Sequence, residues 1–190
     1  MRITQSFVVL AAALLAAAPA LSQDAPWLAD ARQVASSVPP RLLQVLTDEI
    51  ARGGPASAVL VCSDTAPKMA RVASEQSGWT IRRVSLKNRN TKAVPDAWER
   101  ATLEDFDRRA AAGENPASLE AFTVVDNGSN REARFMKALP VQQVCLSCHG
   151  PSDKLDPDVV AQLRALYPDD KGVGYSLKQI RGAMTIRKPL

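Results

Sequence analysis

Apolar and polar positions change rhythm several times along the chain, and each change predicts an element. An apolar run from Phe7 through Ala18 follows Met1 and Arg2, then gives way to Pro19, Ala20, Leu21 and Ser22 before the polar Gln23 and Asp24. A charged start, an apolar centre and small residues at the end describe a secretory signal peptide over residues 1–22, followed by a single domain over 23–190. The run is shorter than the ~20 residues of a spanning helix, so the expectation is cleavage, release into the periplasm and no membrane span afterwards.

Trp27 to Ser37 is Ala-rich, with Val34 and Val38 at helical spacing, and Pro39-Pro40 are expected to restart the chain. Leu42, Val45, Leu46 and Ile50 repeat the spacing of an amphipathic helix, which Gly53-Gly54-Pro55 should stop. Ala56 to Val61 is a short apolar run into Cys62, and Ser63-Asp64 with Ala66-Pro67 predicts a fresh helix start running to about Ser77. Trp79 to Leu86 alternates as a strand, with Trp79, Ile81, Arg83 and Ser85 on one side and Thr80, Arg82, Val84 and Leu86 on the other. A polar loop precedes Pro95-Asp96, which opens a helix bearing Trp98, Leu103, Phe106 and Ala110 that ends near Gly113.

Leu119 to Val125 and Arg131 to Leu139 predict an antiparallel hairpin, Val141 to His149 a short helix, Asp156-Pro157 the start of another, and Gly182 to Lys188 a last strand. Strands and helices do not alternate regularly. That order argues for an α+β domain with an antiparallel sheet rather than a doubly wound parallel one.

Composition narrows the partners. The net charge is +4, the basic residues are spread along the chain and aromatics make up 5%. Neither a stacking platform nor a concentrated phosphate-tracking stripe emerges, so nucleic acid is not expected as a partner.

The chemistry concentrates in Cys145-Leu146-Ser147-Cys148-His149, the C-x-x-C-H pattern of c-type haem attachment. On one helical turn the two thiols reach the porphyrin vinyl groups as thioethers, and the adjacent imidazole lies over the iron. Three other uses compete. A thioredoxin-like pair needs the same C-x-x-C but not the histidine. A zinc site from Cys62, Cys145, Cys148 and His149 has four donors, yet neighbours on a helix point about 100° apart. A plain disulfide suits an exported chain. One covalent haem c, with His149 as proximal ligand, uses every residue of the motif.

His149 is the only histidine in the sequence, so two histidines cannot ligate the iron. The sixth ligand then comes from Met69, Met136, Met184 or Cys62, from another weak donor, or from nothing. Methionines ordinarily fill cores, and Cys62 is equally readable as an inert buried thiol.

Several segments resemble one known family. Ala58-Val59-Leu60-Val61-Cys62 with Ala66-Pro67, Arg82 through Asn90, Pro95-Asp96-Ala97-Trp98-Glu99, Cys145 through Gly150, and Ile180-Arg181-Gly182-Ala183 are similar to the exported single-haem c-type family with a PAS-like fold, formerly a domain of unknown function. The likeness spans nearly all of the chain after the signal. It implies a PAS-like antiparallel sheet flanked by helices, and a haem ligated by the motif histidine and by a cysteine that matches Cys62. Members occur alone or as extracytoplasmic sensing regions of bacterial signalling proteins. The chain departs in reading Lys178-Gln179-Ile180 where an acidic residue often precedes the Ile-Arg-Gly-Ala run.

Arg82, Arg83, Lys87 and Arg89 are candidates to pair with haem propionates, since guanidinium forks match carboxylates; the alternative is a solvated strand and loop. The function expected is redox or gas sensing through a His/Cys-ligated iron, with a small signal or a redox partner protein. A diffusible electron-transfer cytochrome is the alternative. An enzyme such as a peroxidase is not expected, because a second histidine, the commonest distal acid or base, is missing.

Overall fold

The computed structural model describes residues 25–126 and 128–190, so the predicted signal at 1–22 lies outside the described residues. Helix α1, Pro26–Leu60, opens the domain and passes through a π-helical turn, Val61–Thr65, into α2, Ala66–Ser77. Strand β1 is Thr80–Val84, α3 is Ala97–Ala111, and β2 and β3 are Glu120–Asp126 and Arg131–Pro140. A 3-10 turn, Gln143–Cys145, leads into the one-turn helix α4, Leu146–His149. Helix α5, Pro157–Leu166, and strand β4, Ile180–Pro189, complete the order.

The strands form one antiparallel sheet in the order β1-β4-β3-β2. Alternation sends successive side chains to opposite faces, and each face has its own core. Leu28, Ala31 and Ala35 of α1 pack with Ile81, Phe135 and Ile186 on one face. Leu103 and Phe106 of α3 pack with Val84, Met136 and Ala183 on the other. The expected α+β class, an antiparallel sheet flanked by helices, is the architecture found.

Two local expectations are corrected. Pro39-Pro40 do not restart the chain: α1 runs through both, and its buried stripe Leu28, Ala31, Ala35, Val38 and Leu42 continues across them. Packing of that stripe outweighs the lost backbone bonds. The break falls at Gly54, with φ 77° and ψ 175°, where the following Pro55 disfavours helical backbone and glycine alone adopts positive φ freely. Nor does a fresh helix begin at Ser63-Asp64, because Thr65 and Ala66 already have helical dihedrals and the π turn joins the two helices without a gap.

Helix α3 begins as its sequence demands. The Asp96 carboxylate accepts from the Glu99 amide at 2.9 Å and the Glu99 carboxylate from the Asp96 amide at 2.9 Å, a reciprocal capping box.

Candidate functional site

Cys145 closes the 3-10 turn and Cys148 and His149 follow on α4, so the motif occupies one tight turn. The turn is locked from behind. Gly150 N–H donates to Leu146 O at 3.0 Å, and a Cβ at position 150 would lie 2.6 Å from that same oxygen. The segment 172–175 runs alongside: Tyr175 N–H donates to His149 O at 2.9 Å and Gly174 N–H to Gly150 O at 2.8 Å.

His149 is oriented by this segment. Its Nδ1 lies 2.6 Å from the Gly172 carbonyl oxygen, which only accepts, so Nδ1 carries the proton and Nε2 keeps its lone pair. Metal-binding imidazoles are held in this way. Burial, then Arg181 and Arg89, push the His149 pKa well below its ordinary value, which keeps the ring neutral.

Arg89 fastens the motif to the rest of the domain. It is buried, donates to Asp170 Oδ2 at 3.0 Å through Nε, and reaches Cys148 O at 2.6 Å and Gly172 O at 3.3 Å through Nη2. Arg181 is the second buried guanidinium, 8% exposed. Its Nε lies 3.2 Å from His149 Nδ1 and 3.5 Å from Nε2, and its Nη1 donates to Ser85 Oγ at 2.8 Å and Lys87 O at 3.1 Å.

Cys62 arrives from the π turn, an element often found where a helix must re-aim a side chain. The cluster Val59, Val159, Leu163 and Tyr167, with Cys148 packed against it, joins the end of α1 to α5 and to the motif. Burial raises the Cys62 thiol pKa, and Arg83, Arg89 and Arg181 pull it back down, while Cys145 pushes it up. Cys62 therefore shares one electrostatic neighbourhood with the motif and three cations. Cys148 is pushed up to about 11, chiefly by burial.

The basic candidates divide. Arg82 lies on the α3 face of the sheet, donating to Val94 O at 2.7 Å and to Glu99 Oε2 at 3.4 Å, so the structure does not bring it to the motif. Arg83 alternates to the opposite face, within electrostatic reach of Cys62 and His149. Lys87 places its Nζ 4.9 Å from the centroid of the Tyr175 ring, which also stands edge-on to His149. Arg89 serves the backbone of the motif rather than the open side of the site.

Met136 and Met184 are buried in the cores on the two faces of the sheet, and Met69 lines a groove between α1 and α2. Among the described residues no group of three histidine, cysteine or acidic side chains converges on a metal position, which disagrees with the four-donor zinc alternative.

Sequence reasoning missed Gly172, Tyr175 and the role of Arg181. A single arginine between the apolar Ile180 and Gly182-Ala183-Met184 was the available signal, because a lone charge in a strand that must be buried needs a partner.

Charge tests whether these residues suit a haem. Arg181 has no carboxylate within 4 Å among the described residues, whereas Arg89 has Asp170. A buried guanidinium without an anion is costly, so the site fits a group bearing carboxylates or a coordinated thiolate. A haem would bring propionate carboxylates and an iron able to hold a thiolate, and the free thiols of Cys145 and Cys148 with the unprotonated Nε2 of His149 are donors that suit it.

An α+β sheet domain with this turn at one end places the chain in a recognised group: it belongs to the Tll0287-like family, which it matches over residues 11–189. Among solved structures, the crystal structure of the cyanobacterial heme-protein Tll0287 shares the fold, with a TM-score of 0.65 at 22% identity over 85% of this chain and 94% of that one. No curated protein matches the sequence. Among the described residues no helix is long and apolar enough to cross a membrane.

Proposed function

We propose that this chain is an exported c-type haem protein that senses redox state or a small gas through an iron ligated by His149 and Cys62. Cys145 and Cys148 would hold one haem as thioethers. The observation that carries the reading is the C-x-x-C-H turn with a tautomer-fixed His149, in one electrostatic neighbourhood with Cys62, Arg83, Arg89 and Arg181. The heme-protein Tll0287, with the same fold, supports it.

When bound, the haem supplies a one-electron couple and an exchangeable ligand position. The protein's own part is orientation. Gly172 holds the His149 proton on Nδ1, Arg89 pins the backbone of α4, and the π turn presents Cys62. Thiolate favours the ferric over the ferrous state, so Cys62 would be bound in one oxidation state and released in the other, a two-state change suited to signalling.

The test is the absorption spectrum of the mature protein and of a Cys62→Ala variant, oxidised and reduced, with and without carbon monoxide. The expected results are haem that survives denaturation, a shifted Soret band in the variant, and carbon monoxide binding only after reduction. Absence of covalent haem refutes the reading, and an unaltered Soret band in the variant removes Cys62 from the iron. Six-coordinate spectra that do not change on reduction favour an electron carrier instead.

A further inference from the structure

We propose that Arg181 is a positioning residue for His149 and the charge that sets the redox poise of the iron. The inference rests on the haem reading above.

Three features single out Arg181 among the cations. It is buried beside the imidazole, with Nε 3.2 and 3.5 Å from the two ring nitrogens. It has no carboxylate within 4 Å among the described residues, whereas Arg89 is answered by Asp170, and Lys87 and Arg83 are exposed to water that screens them. Its position is also fixed from several sides. Nη1 donates to Ser85 Oγ and Lys87 O, and Ser85 Oγ donates in return to Arg181 O at 2.8 Å. The Tyr175 ring centroid lies 5.4 Å from the guanidinium carbon.

Gly172 makes the approach possible. A Cβ there would stand 2.6 Å from Arg181 Nη2, so one residue without a side chain both orients the His149 proton and admits the guanidinium. A guanidinium keeps its charge at neutral pH. A fixed positive charge in a low-dielectric site disfavours the more positive of two iron states. Arg181 therefore raises the midpoint potential, against the lowering that thiolate ligation brings. Lysine would keep the charge but not the planar fork that makes the two Nη1 bonds and the ring contact together.

The test compares wild type with Arg181→Met, Arg181→Lys, Gly172→Ala and the off-site control Arg82→Met, each as haem-loaded full-length protein. Midpoint potential is read by spectroelectrochemistry and imidazole orientation by low-temperature electron paramagnetic resonance. In Arg181→Met the oxidised to reduced ratio at a fixed potential should rise about tenfold, equivalent to a drop of 59 mV for one electron. Arg181→Lys should stay near the wild-type potential with an altered resonance, and Arg82→Met should match wild type in both. Gly172→Ala, which displaces the guanidinium without removing it, should shift the potential in the same direction as Arg181→Met, and it carries the test if Arg181→Met does not load haem.

A loaded Arg181→Met or Gly172→Ala variant with an unchanged midpoint overturns this inference alone. Wild-type protein without covalent haem overturns the haem reading and this inference with it.

Discussion

Glu99 offers a test of what holds the sheet together, separate from the cofactor. It is wholly buried at 0% exposure, in the first turn of α3 and against the sheet. Oε1 accepts from Thr185 Oγ1 at 2.9 Å and Arg187 Nη2 at 2.9 Å, while Oε2 accepts from the Asp96 amide at 2.9 Å and Arg82 Nη2 at 3.4 Å. Arg134 joins at 3.5 Å. Three guanidiniums thus share the carboxylates of Glu99 and Asp96, and the Nε atoms of all three are buried without partners among the described residues.

Glu99→Ala leaves Asp96 to answer Arg134 and Arg187, and takes from Arg82 its carboxylate partner. Removing one member of a buried ion network costs about 3–5 kcal/mol. Half of the capping box goes as well, a loss of about 1 kcal/mol, although Asp96, Arg82 and Arg187 are open enough for water to recover part of the total. Taking about 4 kcal/mol, and roughly 2–4 °C per kcal/mol for a domain of this size, the melting temperature should fall by about 8–16 °C. Glu99→Gln, which keeps the shape and one acceptor, should lose roughly half as much.

Urea and thermal unfolding followed by circular dichroism measure the effect, with the haem absorption band as a second readout. Because Glu99 points from α3 onto the sheet and the motif lies elsewhere, the folded variant should keep a wild-type Soret band. A loss below about 1 kcal/mol for Glu99→Ala would refute the reasoning, since that is the range of an exposed ion pair.

Two further outcomes follow from the sheet and its flanking helix. Gly182 has φ 156°, and a Cβ there would lie 2.3 Å from Val84 O, so Gly182→Ala must open the ladder where Val84 pairs with Ala183. A loss of about 2–4 kcal/mol is expected, with amide exchange faster in β1; a urea midpoint equal to wild type would contradict it. Asp96 supplies a pH dependence: burial pushes its carboxyl up, but the Glu99 amide, Arg134 and Arg187 outweigh that and hold it below 3.8. A folded pKa below the unfolded one gives stability that is present above about pH 4 and is lost as pH falls through the folded value. The melting temperature of wild type should therefore fall more steeply below pH 4 than that of Asp96→Asn, and parallel curves down to pH 2.5 would remove Asp96 as the cause.

The elements legible from sequence are those whose signals are local. Asp96 with Glu99 three residues on, Asp156 before Pro157, and the two alternating runs of the hairpin each announce themselves within a few residues. Pro39-Pro40 misled because the force that carries α1 through them is packing on the sheet, which no local window contains. The same division runs through the site. The C-x-x-C-H turn is contiguous and readable, whereas Cys62 enters from a π turn more than eighty residues earlier, and only family resemblance singled it out from Met69, Met136 and Met184.

Arg82 and Arg83 are the instructive pair. The period of two along the strand already placed them on opposite sides, so the grouping of four basic residues into one anion site conflicted with the alternation in the same segment. Arg181 could not be found by spacing at all. Its place beside His149 depends on β4 lying between β1 and β3.

That central position of β4 also sets an order of events for a chain that emerges from its N-terminus. Until residues 180–189 are in place, β1 has no neighbour in the sheet, and β2 and β3 form only a hairpin. Pairings that span about a hundred residues form late and slowly. Arrival of β4 then completes the sheet and brings the buried charge of Arg181 to His149 in a single step, so the sheet and the surroundings of that imidazole are finished together.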